Sequence, residues 1–292
     1  MFFRPLRQLA DQFNTLQMGM VSADRIFQVL DTEENIPDEG VLEVLPKSED
    51  EISIEFQNVS FAYKEPDWVL NHIDLSVSGG EKVALVGATG SGKTTIINLL
   101  SRFYEIQKGH VFINGKDLRE YQLSYLRSLI GVVLQDVFLF SGSIYDNITL
   151  NNPDIPLKVV KEAARQVGAD KFIEQLPEGY DYNVRERGAT LSLGQRQLIS
   201  FARVMVYNPQ ILVLDEATAN IDTESEEIIQ HAIDTVMAGR TSIIIAHRLS
   251  TIQKADKIVV LQKGNIIESG SHQELLQEEG AYYQLHQMQF AS

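Results

Sequence analysis

The 292-residue chain contains no cysteine, so disulfide bridges and thiolate metal sites are both excluded. It has no apolar run near the ~18 residues that a membrane-spanning helix needs, and nothing in it resembles a secretory signal. As given, it is expected to be soluble and cytosolic. Basic residues are scarce: 25 Lys and Arg stand against 40 Asp and Glu, a formal net charge of −15. Nucleic-acid binding usually needs a basic face, so that class is disfavoured. Nucleotide binding stays open, because one lysine in a nest of amides makes a local site. Part of the acidic excess lies between Asp31 and Glu51, which hold nine acids and the single lysine Lys47. Pro37 and Pro46 interrupt this stretch, which reads as a solvated connector. What the chain has in quantity is core material, at 44% hydrophobic content.

Residues 1–30 carry apolar positions at helical spacing, among them Phe3, Leu6, Leu9, Phe13, Leu16, Ile26, Phe27 and Leu30. The spacing predicts an amphipathic helix, with Pro5 near its start where a helix tolerates proline. After the 31–51 linker, alternation at Ile52, Ile54 and Phe56, continued by Val59, Phe61 and Tyr63, predicts antiparallel strands. Short apolar runs then alternate with helical patterns: Val83–Val86, Gly131–Leu134, Ile211–Leu214, Ser242–Ala246 and Lys257–Leu261. That order predicts an α/β fold with a mainly parallel sheet core. Strand signals stop between Ser141 and Arg187, where Leu157–Val167 and Ala169–Gln175 read as helices. An inserted helical subdomain over about 141–200 is expected. Lys263-Gly264-Asn265 reads as a tight turn, and Ser271–Leu276 and Ala281–Phe290 close the chain as helices.

The most informative run is Gly87-Ala88-Thr89-Gly90-Ser91-Gly92-Lys93-Thr94. It fits the phosphate-binding pattern G-x-x-x-x-G-K-S/T and sits between an apolar strand and the helical run Thr95–Leu100. Its three glycines let backbone N–H groups turn inward at the positive end of a helix dipole. Lys93 would supply a point charge on the β- and γ-phosphates and Thr94 a hydroxyl ligand for Mg²⁺. A second run, Ile211-Leu212-Val213-Leu214-Asp215-Glu216, ends a strand in two acids. Asp215 at the tip can hold Mg²⁺, and Glu216 can polarise an attacking water.

Between these runs lies Leu191-Ser192-Leu193-Gly194-Gln195, leading into the helical stretch Arg196–Tyr207. In order come the phosphate loop, Gln135, this Leu-Ser-x-Gly-Gln run, Asp215-Glu216 and, after a strand, His247. Over roughly residues 52–290 the chain resembles the ATP-binding cassette ATPases. Locally, the run is an N-capped helix start with Ser192 as the cap, and a second amide nest for phosphate. The resemblance implies a P-loop NTPase core over 52–292, with an antiparallel β subdomain and the inserted helical one. It further implies that two cassettes pack head to tail, Ser192 and Gly194 of one capping the ATP held by Lys93 of the other. Leu193 departs from the glycine usual in the family, and reduced backbone freedom is expected there.

Carried over one by one, Tyr63 matches the adenine-stacking aromatic, although the pattern alone fits a core aromatic equally well. Gln135 matches the residue that touches Mg²⁺ and water. His247 matches the histidine bonded to the γ-phosphate, and Asp222 the loop that crosses the dimer interface. Thr95 joins the loop as part of the nucleotide set. Glu216, His247 and Gln135 are thus the implied catalytic residues, and Thr94, Gln135 and Asp215 the implied metal set. Phe140–Ile148 and Arg185-Glu186-Arg187-Gly188 resemble segments of exporter cassettes, although Arg185 replaces the usual glycine. Residues 1–30 look like the cytosolic end of the last membrane helix of lipid-A-type or multidrug-type half-transporters. The resemblance therefore implies an ATPase that uses ATP and Mg²⁺, pairs with a second cassette (as a homodimer in the simplest case), and drives lipid or drug-like export. Its membrane domain would be absent from this chain, which would act at the cytoplasmic face of a cell membrane as an excised domain or fragment. The alternatives are a soluble cassette ATPase of DNA repair or ribosomes, a regulatory cassette without transport, and an importer cassette. Their expected marks are basic arms or tandem cassettes for the first and loss of Glu216 or His247 for the second. The 1–30 helix and 140–148 segment disfavour the third.

Overall fold

The structure, a computed structural model, describes residues 3–32, 36, 38–42, 52–215, 223–246 and 248–290. It divides into two compact units, Met1–Pro37 and Asp38–Ser292. The first is helix α1 (Phe3–Leu30), 28 residues with no buried side chain. At 1.5 Å per residue it runs about 42 Å. Among the described residues, no helix is long and apolar enough to cross a membrane.

The second unit is α/β. Strands β1 (Ile54–Phe61), β2 (Leu70–Val77) and β3 (Lys82–Val86) precede α2 (Lys93–Leu100). Then come β4 (Lys108–Ile113), β5 (Lys116–Asp117), α3 (Leu123–Leu129) and β6 (Ile130–Val133). A helical stretch follows: α4 (Ile144–Thr149), α5 (Leu157–Gln166), α6 (Asp170–Gln175) and α7 (Leu193–Tyr207). The chain returns to the sheet with β7 (Ile211–Asp215), α8 (Thr223–Met237), β8 (Thr241–Ile245), α9 (Leu249–Gln253) and β9 (Lys257–Gln262). Finally β10 (Asn265–Gly270) leads to α10 (His272–Gln277) and α11 (Ala281–Phe290). One sheet has four strands in the order β2-β1-β4-β5, antiparallel throughout. The other has six in the order β10-β9-β3-β8-β7-β6, parallel except for the β9–β10 hairpin.

Period-two alternation divides the parallel strands between two cores. Ala84, Val86, Leu212, Leu214, Ile244 and Val260 face the core shared with α4–α8. Val83, Leu85, Val213, Ile243, Ile245 and Val259 face the core shared with α2 and the antiparallel sheet. Both faces are covered, which is why these strands read as unbroken apolar runs. The antiparallel part differs from the sequence reading in one detail. Alternation through Phe61 belongs to one strand, and Tyr63 lies beyond its end. Asn58 sits at φ 50° where the β1–β2 register slips between Phe56 and Val59. This extra residue changes the parity, so Phe56, Val59 and Phe61 are all buried. The segment after Ser141 also holds a short helix that the periodicity did not show. It is only six residues long, and a capping box between Ser143 and Asp146 defines its start.

Helix α4 is held to α7 by polar contacts. Asn147, 1% exposed, accepts from the Phe140 N–H at 2.8 Å and donates to the Phe140 and Ser143 carbonyls at 2.9 Å each. Arg203 of α7 donates to the Asn147 carbonyl at 2.6 Å, to Asn147 Oδ1 at 3.2 Å and to the Phe138 carbonyl at 3.1 Å. Burial pushes the Arg203 guanidinium down to about 10, with the nearby Tyr207 acting the other way. The Tyr207 hydroxyl adds a bond to the Thr149 carbonyl at 2.6 Å. Asn147→Ala would strand the Phe140 amide and part of the guanidinium. A loss of about 2–3 kcal/mol in urea unfolding is expected, against a much smaller change for Lys158→Ala on the exposed face of α5.

Candidate functional site

All the parallel strands point their C-terminal ends to one edge, and the residues singled out from the sequence gather along it. The phosphate loop follows β3, and Gln135 follows β6 and is exposed. Asp215 ends β7. It pairs with Ile245, which pairs with Leu85, so Asp215 stands two strands from β3 in one row. At 4.7–4.9 Å per strand that is about 10 Å. Glu216, Asp222 and His247 lie outside the described residues.

The loop conformation depends on two glycines. Gly87 has φ 150°, and a Cβ there would collide with the Leu261 carbonyl of β9. Gly92 caps α2 in the left-handed region at φ 109°, where a Cβ would meet the Leu70 side chain. The β9–β10 turn braces the loop from outside, since the Gly264 N–H donates to the Ser91 carbonyl at 3.1 Å. Ala88, Thr89, Gly90 and Thr94 are exposed, while Ser91, Lys93 and Thr95 are buried. The Lys93 ammonium folds back on its own loop, donating to the Gly87 carbonyl at 2.7 Å and the Ala88 carbonyl at 3.0 Å. Burial lowers its pKa, and the charge of Asp215 partly restores it. The loop thus holds a desolvated cation beside a helix N-terminus, facing a carboxylate across the sheet edge. That arrangement suits a polyanion with a divalent cation.

Tyr63 is 48% exposed. Its ring lies edge-to-face with Phe61 and with Tyr104, at 4.9 Å in each case. Its hydroxyl meets Thr95 Oγ1 at 3.2 Å and accepts from Asn98 Nδ2 at 3.1 Å. It is therefore not a core aromatic, and it is fastened to the helix that carries the phosphate loop.

Ser192 caps α7. Its Oγ accepts from the Gln195 N–H at 3.2 Å, and Gln195 Oε1 accepts from the Ser192 N–H at 3.0 Å. Because the Ser192 oxygen is used as an acceptor, its proton remains available to donate outward. Leu193 is the first helical residue of α7, so a side chain there introduces no backbone strain. The reduced freedom expected from replacing glycine thus has no conformational consequence at this position. Gly194 is buried and Leu191 lies beneath the turn, also buried. Ser192, Gly194 and Gln195 line a hollow of about 150 Å³, together with Lys171 and Ile228.

The two exporter-like segments are joined through residues that flank them. The Ile144 N–H donates to the Tyr182 carbonyl at 3.1 Å and the Val184 N–H to the Gly142 carbonyl at 3.0 Å. Gly188, at φ 67°, lies against Leu139 and the Arg196 side chain. Arg196 of α7 donates to the Leu191 carbonyl at 2.8 Å. Arg185, Glu186 and Arg187 are exposed, as are Phe138 and Phe140. Sequence reasoning missed Asn98, Asn147, Arg196 and Arg203. Asn98 had a signal, lying one helical turn beyond Thr94. The 56-residue separation of Asn147 and Arg203 left none.

The ABC transporter family profile matches residues 70–219, just over half of the chain. A probable multidrug resistance ABC transporter ATP-binding/permease protein of Bacillus subtilis is 50% identical over 98% of this chain and 42% of its own length. An ATP-dependent lipid A-core flippase of Syntrophus aciditrophicus is 45% identical over 99% of this chain and 48% of its own. The chain thus spans about half the length of these relatives. Among solved structures, a bacterial Atm1-family ABC exporter with ATP bound superposes with TM-score 0.82 at 38% identity. That match covers 99% of this chain and 50% of the exporter.

Gly87→Ala should abolish ATP binding in calorimetry. It should also lower the melting temperature, since φ 150° and the Leu261 carbonyl both oppose a Cβ, a strain of about 1–3 kcal/mol.

Proposed function

The chain belongs to the ABC transporter family, and from that premise we propose that it is the ATP-hydrolysing motor of an exporter, working as a pair of cassettes closed around two ATP molecules. One observation supports the pairing above all. The helix that opens at Lys93 packs in the core on one face of the parallel sheet, and the helix capped by Ser192 packs in the core on the other. Two cradles for one phosphate tail, on helices of opposite faces, suit a site completed by a second copy.

In this reading the loop amides and Lys93 hold the β- and γ-phosphates, the ammonium exchanging its loop carbonyls for phosphate oxygens. Thr94, Asp215 and Gln135 would hold Mg²⁺, which when bound would neutralise charge on the phosphate tail. Tyr63 stacks on the base. Glu216 takes a proton from water as its oxygen attacks the γ-phosphorus, His247 bonds a γ-phosphate oxygen, and the bond to ADP breaks to release phosphate. Ser192 of the second copy donates its free hydroxyl proton to the γ-phosphate, and the Asp222 loops meet across the interface. Binding closes the pair, and hydrolysis lets it reopen.

Arg203 and Asn147 tie the segment after Gln135 to the Ser192 helix, giving that motion a continuous path toward the exposed Phe138 and Phe140. A membrane domain would dock there, with the cassette at the cytosolic face of the membrane and α1 continuing its last helix. The named relatives are a probable multidrug resistance transporter and a lipid A-core flippase, and a lipid or drug-like cargo is the corresponding proposal here.

The test is steady-state ATPase activity of the purified chain with Mg²⁺ across a wide protein concentration range. Specific activity should rise with concentration as composite sites form. Glu216→Gln should keep ATP binding while losing about 10²–10⁴-fold in turnover. Undiminished turnover in that variant would overturn the role given to Glu216.

A further inference from the structure

The link between Tyr63 and α2 goes beyond a stacking platform. Asn98 Nδ2 donates to the Tyr63 hydroxyl at 3.1 Å, and the same hydroxyl shares a hydrogen bond with Thr95 Oγ1 at 3.2 Å. Thr95 is buried, Asn98 half-buried, and both lie on the helix that begins at Lys93. Asn98 stands four residues after Thr94, hence on the same helical face. On the other side, the edge-to-face contacts with Phe61 and Tyr104 limit rotation of the Tyr63 ring. Phe61 ends β1, and Tyr63 lies beyond the strand, after Ala62, whose N–H and carbonyl are both bonded by the Gln107 side chain. The ring is therefore oriented by its neighbours, and its one polar anchor is the α2 side-chain pair.

We propose that Asn98 is a positioning residue for base recognition: through the Tyr63 hydroxyl it fixes the stacking ring at a set distance and angle from the phosphate loop. The helix that starts at the phosphates would then also determine where the base must lie, and the nucleotide would be read as one rigid length from base to γ-phosphate. This rests on the reading of Tyr63 as the base platform. An untethered ring would still stack, but its rotation would have to be stopped on binding, which weakens the base contribution. The phosphate contribution would not change.

The experiment compares ATP with inorganic tripolyphosphate, each with Mg²⁺, by titration calorimetry on the Glu216→Gln chain so that hydrolysis does not intervene. Added to that background, Asn98→Ala and Tyr63→Phe should each weaken ATP binding about three- to tenfold. Tripolyphosphate affinity should stay unchanged in both. Tyr63→Phe leaves α2 intact and keeps the ring, so it carries the test even where Asn98→Ala loses stability. Combining the two should add little to either alone, because they remove the same link. Equal weakening of both ligands would assign Asn98 a structural role and overturn the proposal. So would full ATP affinity in Asn98→Ala and Tyr63→Phe while Tyr63→Ala loses it. If Tyr63→Ala itself leaves the ratio of ATP to tripolyphosphate affinity unchanged, the base-platform reading falls, and the proposal with it.

Discussion

A sheet covered on both faces has only its edges left for chemistry, and most of this molecule follows from that constraint. Alternate residues of β3, β7, β8 and β9 are buried in two separate cores. A ligand that needs polar contacts must therefore meet the strands at their ends. Five strands run parallel, so one edge collects every strand C-terminus. The phosphate loop, Asp215 and Gln135 arrive there from β3, β7 and β6 because the strands that carry them run parallel. The braces around the loop serve the same geometry: the Leu261 carbonyl sets the limit at Gly87, and Gly264 ties the β9–β10 turn to Ser91.

A chain of net charge −15 holds an anion only where local geometry outweighs the overall field. Here the local terms are backbone N–H groups at a helix start and one ammonium. Lys93 is 8% exposed and its charge is disfavoured by burial, but two loop carbonyls solvate it and Asp215 stabilises it across the edge. A cation already stripped of water interacts strongly with phosphate, and rearranges little to do so. Asp215 serves twice, first as counter-charge to the lysine and, in the proposed function, as a support for the divalent cation.

Helix α7 joins the remaining parts. Its N-terminus is the Ser192 capping box, Arg196 on its first turns grips the Leu191 carbonyl, and Arg203 near its end holds the chain at Phe138 and Asn147. Three of the Arg203 contacts are to neutral oxygens, and each depends on the position of a backbone segment. The 138–147 segment is thus joined to the helix that carries Ser192 and Gly194. This is a packed connection between the membrane-facing surface proposed here and the second phosphate cradle.

The antiparallel strand β1 shows where local pattern stops being enough. Its alternation was legible at Ile54 and Phe56, but the change of parity at Val59 comes from an Asn58 bulge, and its partners β2 and β4 were not read at all. The five parallel strands were legible because burial on two faces leaves an unbroken apolar run. The phosphate loop and Ser192 cap were legible because each is a contiguous segment whose backbone geometry is set by its own residues. Helix α4 was too short to show a period, and Asn147 and Arg203 lie too far apart in the chain for any spacing to connect them. Tyr63 was ambiguous between core and platform, and its 48% exposure excludes only the core. By itself, then, the sequence determined the elements whose conformation is a local matter: strand, glycine nest and helix cap. Tertiary structure decided which face each helix covers, which side chains orient the Tyr63 ring and which arginine ties α7 to its neighbours, because those depend on contacts between residues that only the completed packing brings together.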